Sequence, residues 1–198
     1  MVAQAPDGLG LFLVRDGAAV ARTVRLDRRD CGRVRFSDTP AVAIRPSGGG
    51  RAPRAAMDRA AVALCAEMLG GMQAAFEMTL SYLKTRHQFG VPIGTFQALQ
   101  HRAARMFIEI ELCRSAVLAA AIGADQEPER LPALVSIAKA RCNETYRLVA
   151  RETVQMHGGI GVTEEHDAGM YLKRARVAAQ TFGTAAWHRD RWARLRGY

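Results

Sequence analysis

The sequence predicts a mainly α-helical protein, an up-and-down four-helix bundle preceded by a partial antiparallel β segment. Three observations carry this prediction. From Met57 onward, apolar residues recur at intervals of three and four, as on one face of an α-helix. Before residue 45, short apolar or alternating runs are separated by turn residues, a pattern typical of strands. Between them stands a joint rich in proline and glycine.

Three short strands are expected in the first part of the chain. Residues 10–14 form an apolar run that ends at the turn signal Asp16-Gly17, and residues 20–26 and 33–36 alternate between apolar and polar side chains. The following PSGGGRAP has the composition of a flexible joint. We therefore expect a partial β-domain over residues 1–45, a linker over 46–56 and a helical bundle over 57–198.

Three long helices are expected over residues 57–85, 95–122 and 131–156, each about 40 Å long at the usual helical rise. The first has an apolar stripe at Leu64, Met68, Met72, Ala75, Thr79 and Leu83. The second has one at Phe96, Leu99, Ala103, Met106, Ile110, Cys113, Val117 and Ala120. The third has a less apolar face at Leu134, Ile137, Arg141, Thr145, Leu148 and Glu152. Short breaks between long helices favour antiparallel neighbours.

Two shorter helices complete the predicted bundle. Thr163 is expected to cap a fourth helix, with two glutamates in its first turn, and this helix should end near Gln180. A last short helix is expected after Thr184.

Composition narrows the function. Of the 198 residues, 49% are hydrophobic and 24% are charged, which is ordinary for a globular protein. No apolar stretch is long enough to span a bilayer, and the first residues lack a secretory signal, so we expect a cytoplasmic protein. The net charge of +9 comes mostly from arginine and suits a phosphate-rich ligand. Because no nucleic-acid-binding motif accompanies this charge, nucleic-acid binding is the weaker interpretation.

The four cysteines do not predict a metal site. Cys31, Cys65, Cys113 and Cys142 form no CxxC pair, and no histidine stands at a zinc-ligand spacing from them. Three of them lie in apolar helical stretches, where a free buried thiol is the expected state.

Two breaks in the helical pattern have unusual chemistry. Residues 85–94 read TRHQFGVPIG, in which an arginine ends a helix and an aromatic residue and glycines follow. A guanidinium there suits a phosphate, although spacing alone favours a plain helix end with a stabilising cation. Residues 155–162 read QMHGGIGV. These glycines can open backbone amides to a cofactor, or they can form only a tight turn between helices.

Taken together, these segments are specific, because the chain resembles the acyl-CoA dehydrogenase family. The resemblance covers nearly the whole helical region, through RHQFGVPIGTFQALQHRAARM, QMHGGIGVTEEH and YLKRAR, and the strands before Pro40 resemble the second half of that family's middle β-domain. It implies a bundle of the family's C-terminal type, with FAD as cofactor and an acyl-CoA as substrate. By position, it implies FAD contacts for Arg86, Phe89, Ile93, Gln97, Gln155, Gly158, Gly159 and Thr184. In the family, the arginine and phenylalanine of the first segment contact the FAD of a neighbouring subunit, and the glutamine and glycines of the second contact its adenine-diphosphate part.

The resemblance also shows a departure, because the family's usual catalytic glutamate is absent. In the family, a carboxylate takes the α-proton of the acyl thioester while the β-hydrogen leaves as a hydride to the flavin. Most members hold this glutamate in a Tyr-Glu-Gly-Thr turn, which here reads TFGT over residues 181–184, so Phe182 occupies its position. The Phe182 backbone N–H can still donate to a thioester oxygen.

The sequence offers only weak candidates for a catalytic base at other positions. Some members place the base on the first long helix, at a position that falls on Ala60, which also lacks a carboxylate. Glu67, seven residues later, is either a displaced base or a structural carboxylate paired with a neighbouring helix. His157 and His188 are candidates for proton transfer because of their positions beside the cofactor motifs.

The resemblance leaves two main interpretations of function. In the first, the chain is a flavoprotein subunit in a homo- or hetero-oligomer, a partner subunit supplies the base, and electrons pass to an acceptor flavoprotein. The turn FGTAAWHR is similar to bacterial members that act on bulky acyl groups such as steroid side chains. In the second, the chain is a non-catalytic remnant or scaffold that oligomerises without flavin. A basic helical nucleic-acid binder, which rests on charge alone, is the third.

Overall fold

A computed structural model describes residues 1–5, 8–44 and 51–198, which fall into two compact units, residues 1–59 and 60–198. The strands are β1 (Val2–Ala5), β2 (Gly8–Leu13), β3 (Ala19–Val24), β4 (Asp30–Arg35), β5 (Val42–Ile44), β6 (His87–Gln88) and β7 (Val91–Pro92). The helices are α1 (Arg51–Thr85), α2 (Gln97–Gln126), α3 (Leu131–His157), α4 (Ala168–Gln180) and α5 (Ala185–Leu195). The mainly helical fold is therefore confirmed.

The strands before residue 45 form two small antiparallel sheets instead of the single predicted sheet. β2 pairs with β1 on one side and β5 on the other, and β3 pairs with β4. The three predicted strands correspond to β2, β3 and β4. β1 and β5 were not predicted, because VAQA and VAI are too short to show a period.

The predicted linker over residues 46–56 is helical in its second part. Residues 46–50 lie outside the described residues, so that part of the prediction has no structural test. α1 begins at Arg51, six residues before the predicted start at Met57. Pro53 suggested a joint, but proline is tolerated in the first turn of a helix, where its missing N–H would have had no partner.

α1 and α3 lie side by side and run in the same direction. The hydroxyl oxygens of Thr79 and Thr153 are 3.1 Å apart. Further along both helices, the ring centroids of Tyr82 and His157 are 4.4 Å apart. The C-terminal ends of α1 and α3 are therefore at the same end of the bundle.

α2 and α4 run the other way. α2 is antiparallel to α3, because Arg102 near its start pairs with Glu152 near the end of α3, with Nε and Oε2 2.5 Å apart. At the end of α4, the backbone oxygen of Ala178 accepts a hydrogen bond from Lys139 in the first half of α3. The up-and-down arrangement is thus confirmed, and α3 lies against α2, α4 and α5.

The core confirms the first two predicted stripes. The whole α1 stripe is buried, and so is the α2 stripe from Ala103 to Ala120, while Phe96 is the N-cap residue of α2 and is partly exposed. The predicted face of α3 was wrong, since only Thr145 of that set is buried. α3 instead contributes Val135, Ala138, Cys142, Tyr146 and Val149. The predicted face carries charged side chains that pair with α2.

The helix after the glycine loop begins later than expected. α4 begins at Ala168 with Asp167 as its N-cap residue. Thr163 instead ends the 3₁₀ helix Gly158–Val162, where its hydroxyl donates to the Ile160 oxygen at 2.8 Å. α5 follows Thr184 as predicted, and the Thr184 hydroxyl accepts a hydrogen bond from the Trp187 N–H at 3.3 Å.

The three cysteines in helical stretches are free and buried, as predicted. All four are free thiols, and Cys65, Cys113 and Cys142 are buried. Within the described part of the chain, no cluster of three or more histidine, cysteine or acidic side chains could hold a metal ion. No described helix has both the length and the apolar character needed to cross a bilayer.

Two adjacent glycines in α1 give a matched test of this packing. A Cβ atom at Gly71 would stand 2.5 Å from the Tyr146 hydroxyl oxygen, whereas one at Gly70 would meet no described atom within 4 Å. We expect Gly71→Ala to lower the free energy of unfolding by about 1–3 kcal/mol through overpacking. Gly70→Ala should raise it by about 0.5–1 kcal/mol. Urea denaturation measures both, and equal effects would contradict the packing of α1 on α3.

Candidate functional site

The segment after α1 is a tight hairpin that exposes an aromatic side chain. β6 and β7 pair with Gln88 opposite Val91, which leaves Phe89 and Gly90 as the turn. Their φ angles are 55° and 80°, as a type I′ turn requires. This conformation is unfavourable for a phenylalanine, and its side chain is 91% exposed. The fold therefore holds this ring outward at a local energetic cost.

The hairpin is fixed firmly to the end of α1. The Ile93 N–H donates to the Arg86 oxygen at 2.8 Å. A Cβ at Gly94 would stand 2.8 Å from the Leu83 oxygen, so only glycine allows this approach. The Arg86 side chain is exposed and has no ion pair within the described residues, and Gln97 is exposed at the start of α2. Arg86 is thus available to an anionic ligand.

The second predicted motif forms an open glycine loop. α3 ends at His157, Gly158 has a φ of 63°, and Gln155 is exposed in the last turn of the helix. A Cβ at Gly158 or Gly159 would meet no described atom within 4 Å, so packing does not require glycine there. Gly161 differs, because its Cβ would stand 2.6 Å from the Val154 oxygen. The first two glycines leave the backbone open to a ligand.

His157 is buried beneath this loop. Its Nδ1 lies 2.7 Å from the Thr153 oxygen, and its ring contacts Tyr82 and His166 with centroids 4.4 Å away in each case. Burial lowers the pKa of His157, which favours the neutral ring, and Nε2 has no partner among the described residues. The buried His157 ring therefore packs between the C-terminal ends of α1 and α3.

The structure brings some predicted cofactor residues together and separates others. Tyr82, four residues before Arg86, contacts His157, so the hairpin and the glycine loop lie at the same end of the bundle. Thr184 lies elsewhere, next to Gly183, whose oxygen accepts from Asn143 Nδ2 at 3.2 Å. Asn143 is twelve residues before Gln155 on α3, or about 18 Å at the usual helical rise. The predicted set therefore occupies two places.

The turn that replaces the family's glutamate turn is strained and well fixed. Phe182 and Gly183 have φ angles of 58° and 105°. The half-buried Phe182 side chain packs against the core, and its oxygen accepts a hydrogen bond from Nε2 of the buried His188 at 2.9 Å. A Cβ at Gly183 would stand 2.8 Å from Trp187 Cε3. His188 thus holds this turn by its ring.

Sequence reasoning missed the buried lysine that anchors the same turn. Lys139 has no exposed surface, and its ammonium donates to Asn143 Oδ1 at 2.7 Å and to the oxygens of Ala178 and Gly183, each at 3.1 Å. Burial lowers the pKa of Lys139 to about 8. The available signal was a charged residue within the apolar SIAKARC segment of a helix.

The weak candidates for a base do not gain support. Both oxygens of Glu67 are engaged by Arg174 on α4, with Nε–Oε1 at 2.7 Å and Nη2–Oε2 at 2.9 Å. This is the structural pairing with a neighbouring helix that the sequence left open. Ala60 is half-buried on α1 and has no side-chain acid.

The bundle, its hairpin and its glycine loop define a helical domain of the kind found in flavin-dependent dehydrogenases. A family model for the acyl-CoA dehydrogenase C-terminal domain matches residues 47–195. The chain therefore belongs to the acyl-CoA dehydrogenase family, whose members are FAD-dependent. This confirms the resemblance stated from the sequence.

Two curated relatives are similar over the same region. Acyl-CoA dehydrogenase IpdE2 of Mycobacterium tuberculosis is 40% identical over 123 residues, which are 62% of this chain and 37% of that protein. Acyl-CoA dehydrogenase FadE34 of the same organism is 36% identical over 134 residues, which are 67% of this chain and 19% of that protein. The chain thus spans well under half of these relatives.

Solved structures match nearly the whole chain. The steroid acyl-CoA dehydrogenase Tcur3481-Tcur3483, in a G363A variant, has a TM-score of 0.89 and 35% identity, over 98% of this chain and 53% of that one. The ChsE4-ChsE5 complex from Mycobacterium tuberculosis has a TM-score of 0.90 and 27% identity, over 100% of this chain and 55% of that one. The chain spans about half the length of these solved relatives.

Lys139 allows a pH-dependent test of the anchored turn. Its pKa is about 8 in the folded chain, against an ordinary 10.5. Between these values the unfolded chain binds more protons, so this group makes stability rise with pH, by at most about 1.4 kcal/mol per pH unit. We expect the free energy of unfolding of the wild type to rise relative to that of Lys139→Met between pH 8 and pH 10.5.

Urea denaturation at several pH values measures this difference. Lys84→Met, which changes an exposed lysine at the end of α1, is the matched control and should give a curve parallel to that of the wild type. A constant difference between the wild type and Lys139→Met from pH 8 to 10.5 would show that Lys139 is not a desolvated cation.

Proposed function

We propose that the chain is a subunit of an FAD-dependent acyl-CoA dehydrogenase that binds the phosphate and adenine end of FAD, while a partner subunit supplies the catalytic base. One observation carries this proposal. The Arg86–Phe89 hairpin and the glycine loop at Gly158 lie at the same end of the bundle, held together by the contact between Tyr82 and His157. The family of the chain supports FAD as the ligand.

The residues at this end fit the chemistry of FAD. The exposed guanidinium of Arg86 suits bidentate binding of a diphosphate oxygen pair. The Phe89 ring, 91% exposed, offers an aromatic face and edge to a planar ring system. Gly158 and Gly159 leave space for a close approach to the backbone. When bound, the flavin of FAD accepts the hydride that leaves the β-carbon of the substrate.

The turn at Phe182 can stabilise a thioester oxygen but has no group that takes the α-proton. The Phe182 N–H has no acceptor within the described residues, and the hydrogen bonds of Lys139 and His188 fix its orientation. Such an N–H can donate to a thioester oxygen and stabilise the charge that develops there. The side chain cannot take the α-proton. We infer that a carboxylate of a partner subunit takes this proton.

The relatives support a heteromeric assembly and a bulky substrate. One solved relative is named a steroid acyl-CoA dehydrogenase with two components, and another is named as a complex of two proteins. These are properties of those proteins. With the absent glutamate and the turn FGTAAWHR, they favour a bulky acyl-CoA as substrate, and an acceptor flavoprotein as the next electron carrier.

A second candidate function is a scaffold subunit that keeps the bundle and its oligomer contacts without flavin. The observation that favours it is the lack of a carboxylate at both Phe182 and Ala60. Visible absorption separates the two. A flavin spectrum that purifies with the chain, alone or co-expressed with a partner, supports the subunit role, and a colourless complex supports the scaffold.

Arg86→Ala tests the proposed phosphate contact. A charge-assisted hydrogen bond to phosphate is worth about 1.5–3 kcal/mol, so flavin affinity should fall by about tenfold or more. The measurement is flavin absorbance per protomer after dialysis. Arg105→Ala removes a different exposed arginine, which lies on α2. It is the control and should retain flavin like the wild type. Equal retention by Arg86→Ala would remove Arg86 from the cofactor site.

Phe182→Glu tests the inference about the base. It places a carboxylate at the family's position, and Phe182→Gln is the matched control, because both side chains must adopt the same positive φ of 58°. In the flavin-containing complex, we expect acyl-CoA to bleach an additional share of the flavin in the Glu variant. The rate of this bleaching should be about 10²-fold or more above the rate in the Gln variant. Identical bleaching by both variants would show that this turn does not face the substrate.

A further inference from the structure

An arginine-rich groove lies between α3, α4 and α5 in the second unit. It is open on one side and has a volume of about 630 Å³, which is within the usual size of a small-molecule site, about 300–1,000 Å³. Arg147 and Arg151 on α3, Arg176 on α4 and Arg189 on α5 line it. Glu144 is the one carboxylate among its described lining residues. The groove is therefore strongly cationic.

Three of these arginines lack the partners that the other helices provide. Elsewhere in the bundle, Arg102, Arg141 and Arg174 each pair with a glutamate of a neighbouring helix. In the groove, Arg189 pairs with Glu144. In the described part of the chain, no acidic side chain pairs with the remaining three, which are Arg147, Arg151 and Arg176. Like charges at one place are unfavourable unless an anion balances them.

The position of the groove connects the two separated parts of the proposed cofactor site. Asn143, Arg147 and Arg151 follow each other at intervals of four residues on α3 and line the groove together, and Gln155 follows four residues after Arg151. Asn143 is at the Thr184 end, where it binds the Gly183 oxygen. Gln155 is at the glycine-loop end. The unpaired cations on α3 thus lie between these two places.

The rest of the groove wall suits the apolar part of a nucleotide. Leu172 and four alanines line it, together with the amide of Gln180 and the hydroxyl of Thr184. Alanine methyl groups give a flat surface against which a planar base can pack. The groove combines this surface with guanidinium groups that bind phosphate oxygens in pairs.

We propose that Arg147, Arg151 and Arg176 bind the phosphate groups of a nucleotide ligand that lies along α3 from the Thr184 turn toward the glycine loop. This inference rests on the proposed function for the identity of the ligand. The diphosphate of FAD and the phosphates of an acyl-CoA share the chemistry that the groove recognises.

Binding of ADP to the purified full chain tests the proposal, by isothermal titration calorimetry. Each charge-assisted contact that is lost should weaken binding by about tenfold, so Arg147→Gln/Arg176→Gln should lose about 100-fold. Arg105→Gln, an exposed arginine on α2 outside the groove, should bind ADP like the wild type. Added salt should weaken wild-type binding, because exposed charges are screened.

Competition identifies the source of the phosphate. Displacement of ADP by FAD assigns the groove to the cofactor, and displacement by CoA assigns it to the substrate; both support the proposal. The absence of ADP binding by the wild type overturns it, and so does an equal loss in Arg105→Gln.

The test also separates this inference from the proposed function. If the complex holds no flavin but ADP binding depends on Arg147 and Arg176, the groove is supported and the flavoprotein role fails. If the complex holds flavin and the double variant retains ADP and flavin like the wild type, the groove proposal alone is wrong.

Discussion

The buried ammonium of Lys139 is the interaction on which the α4–α5 end of the bundle depends. A fully buried cation is costly unless its hydrogens are bonded, and here three acceptors surround it. Two of them are backbone oxygens at the end of α4 and in the following turn, where the helix dipole favours a positive charge. One side chain of α3 thus fixes where α4 ends and where α5 begins. The position of Phe182 follows from this.

The strain in the bundle lies at two Phe-Gly pairs. Phe89 and Phe182 are both held at positive φ, each followed by a glycine at positive φ. A phenylalanine persists in this region only where its surroundings determine it. Around Phe89 they are the paired strands and the close approach of Gly94 to α1, and around Phe182 they are the bonds from Lys139 and His188. Both pairs fall in the motifs that the resemblance marked.

The spacing of apolar residues predicted the core-facing side of α1 and α2, the helices that contact the core on one side. α1 and α2 each bury one stripe, so the spacing of Met68, Met72 and Met106 was enough. α3 touches α2, α4 and α5, and such a helix has no single apolar face to find. The Lys139 anchor joins residues 44 positions apart, which no local pattern reports. The candidate cofactor residues came from the family resemblance, since spacing alone favoured a plain helix end at Arg86 and left the glycine motif undecided.

Some of the arginines that make the chain basic, with a net charge of +9, lie together in one groove of the second unit. Arginines such as Arg102 and Arg174 are matched by carboxylates across helix contacts, so they contribute little to the field outside the protein. Arg147, Arg151 and Arg176 are not matched among the described residues, and they converge on one groove with an apolar wall. Convergence of these unpaired cations on one groove of about 630 Å³ favours a single phosphate-bearing molecule, in keeping with the phosphate-rich ligand that the net charge suggested.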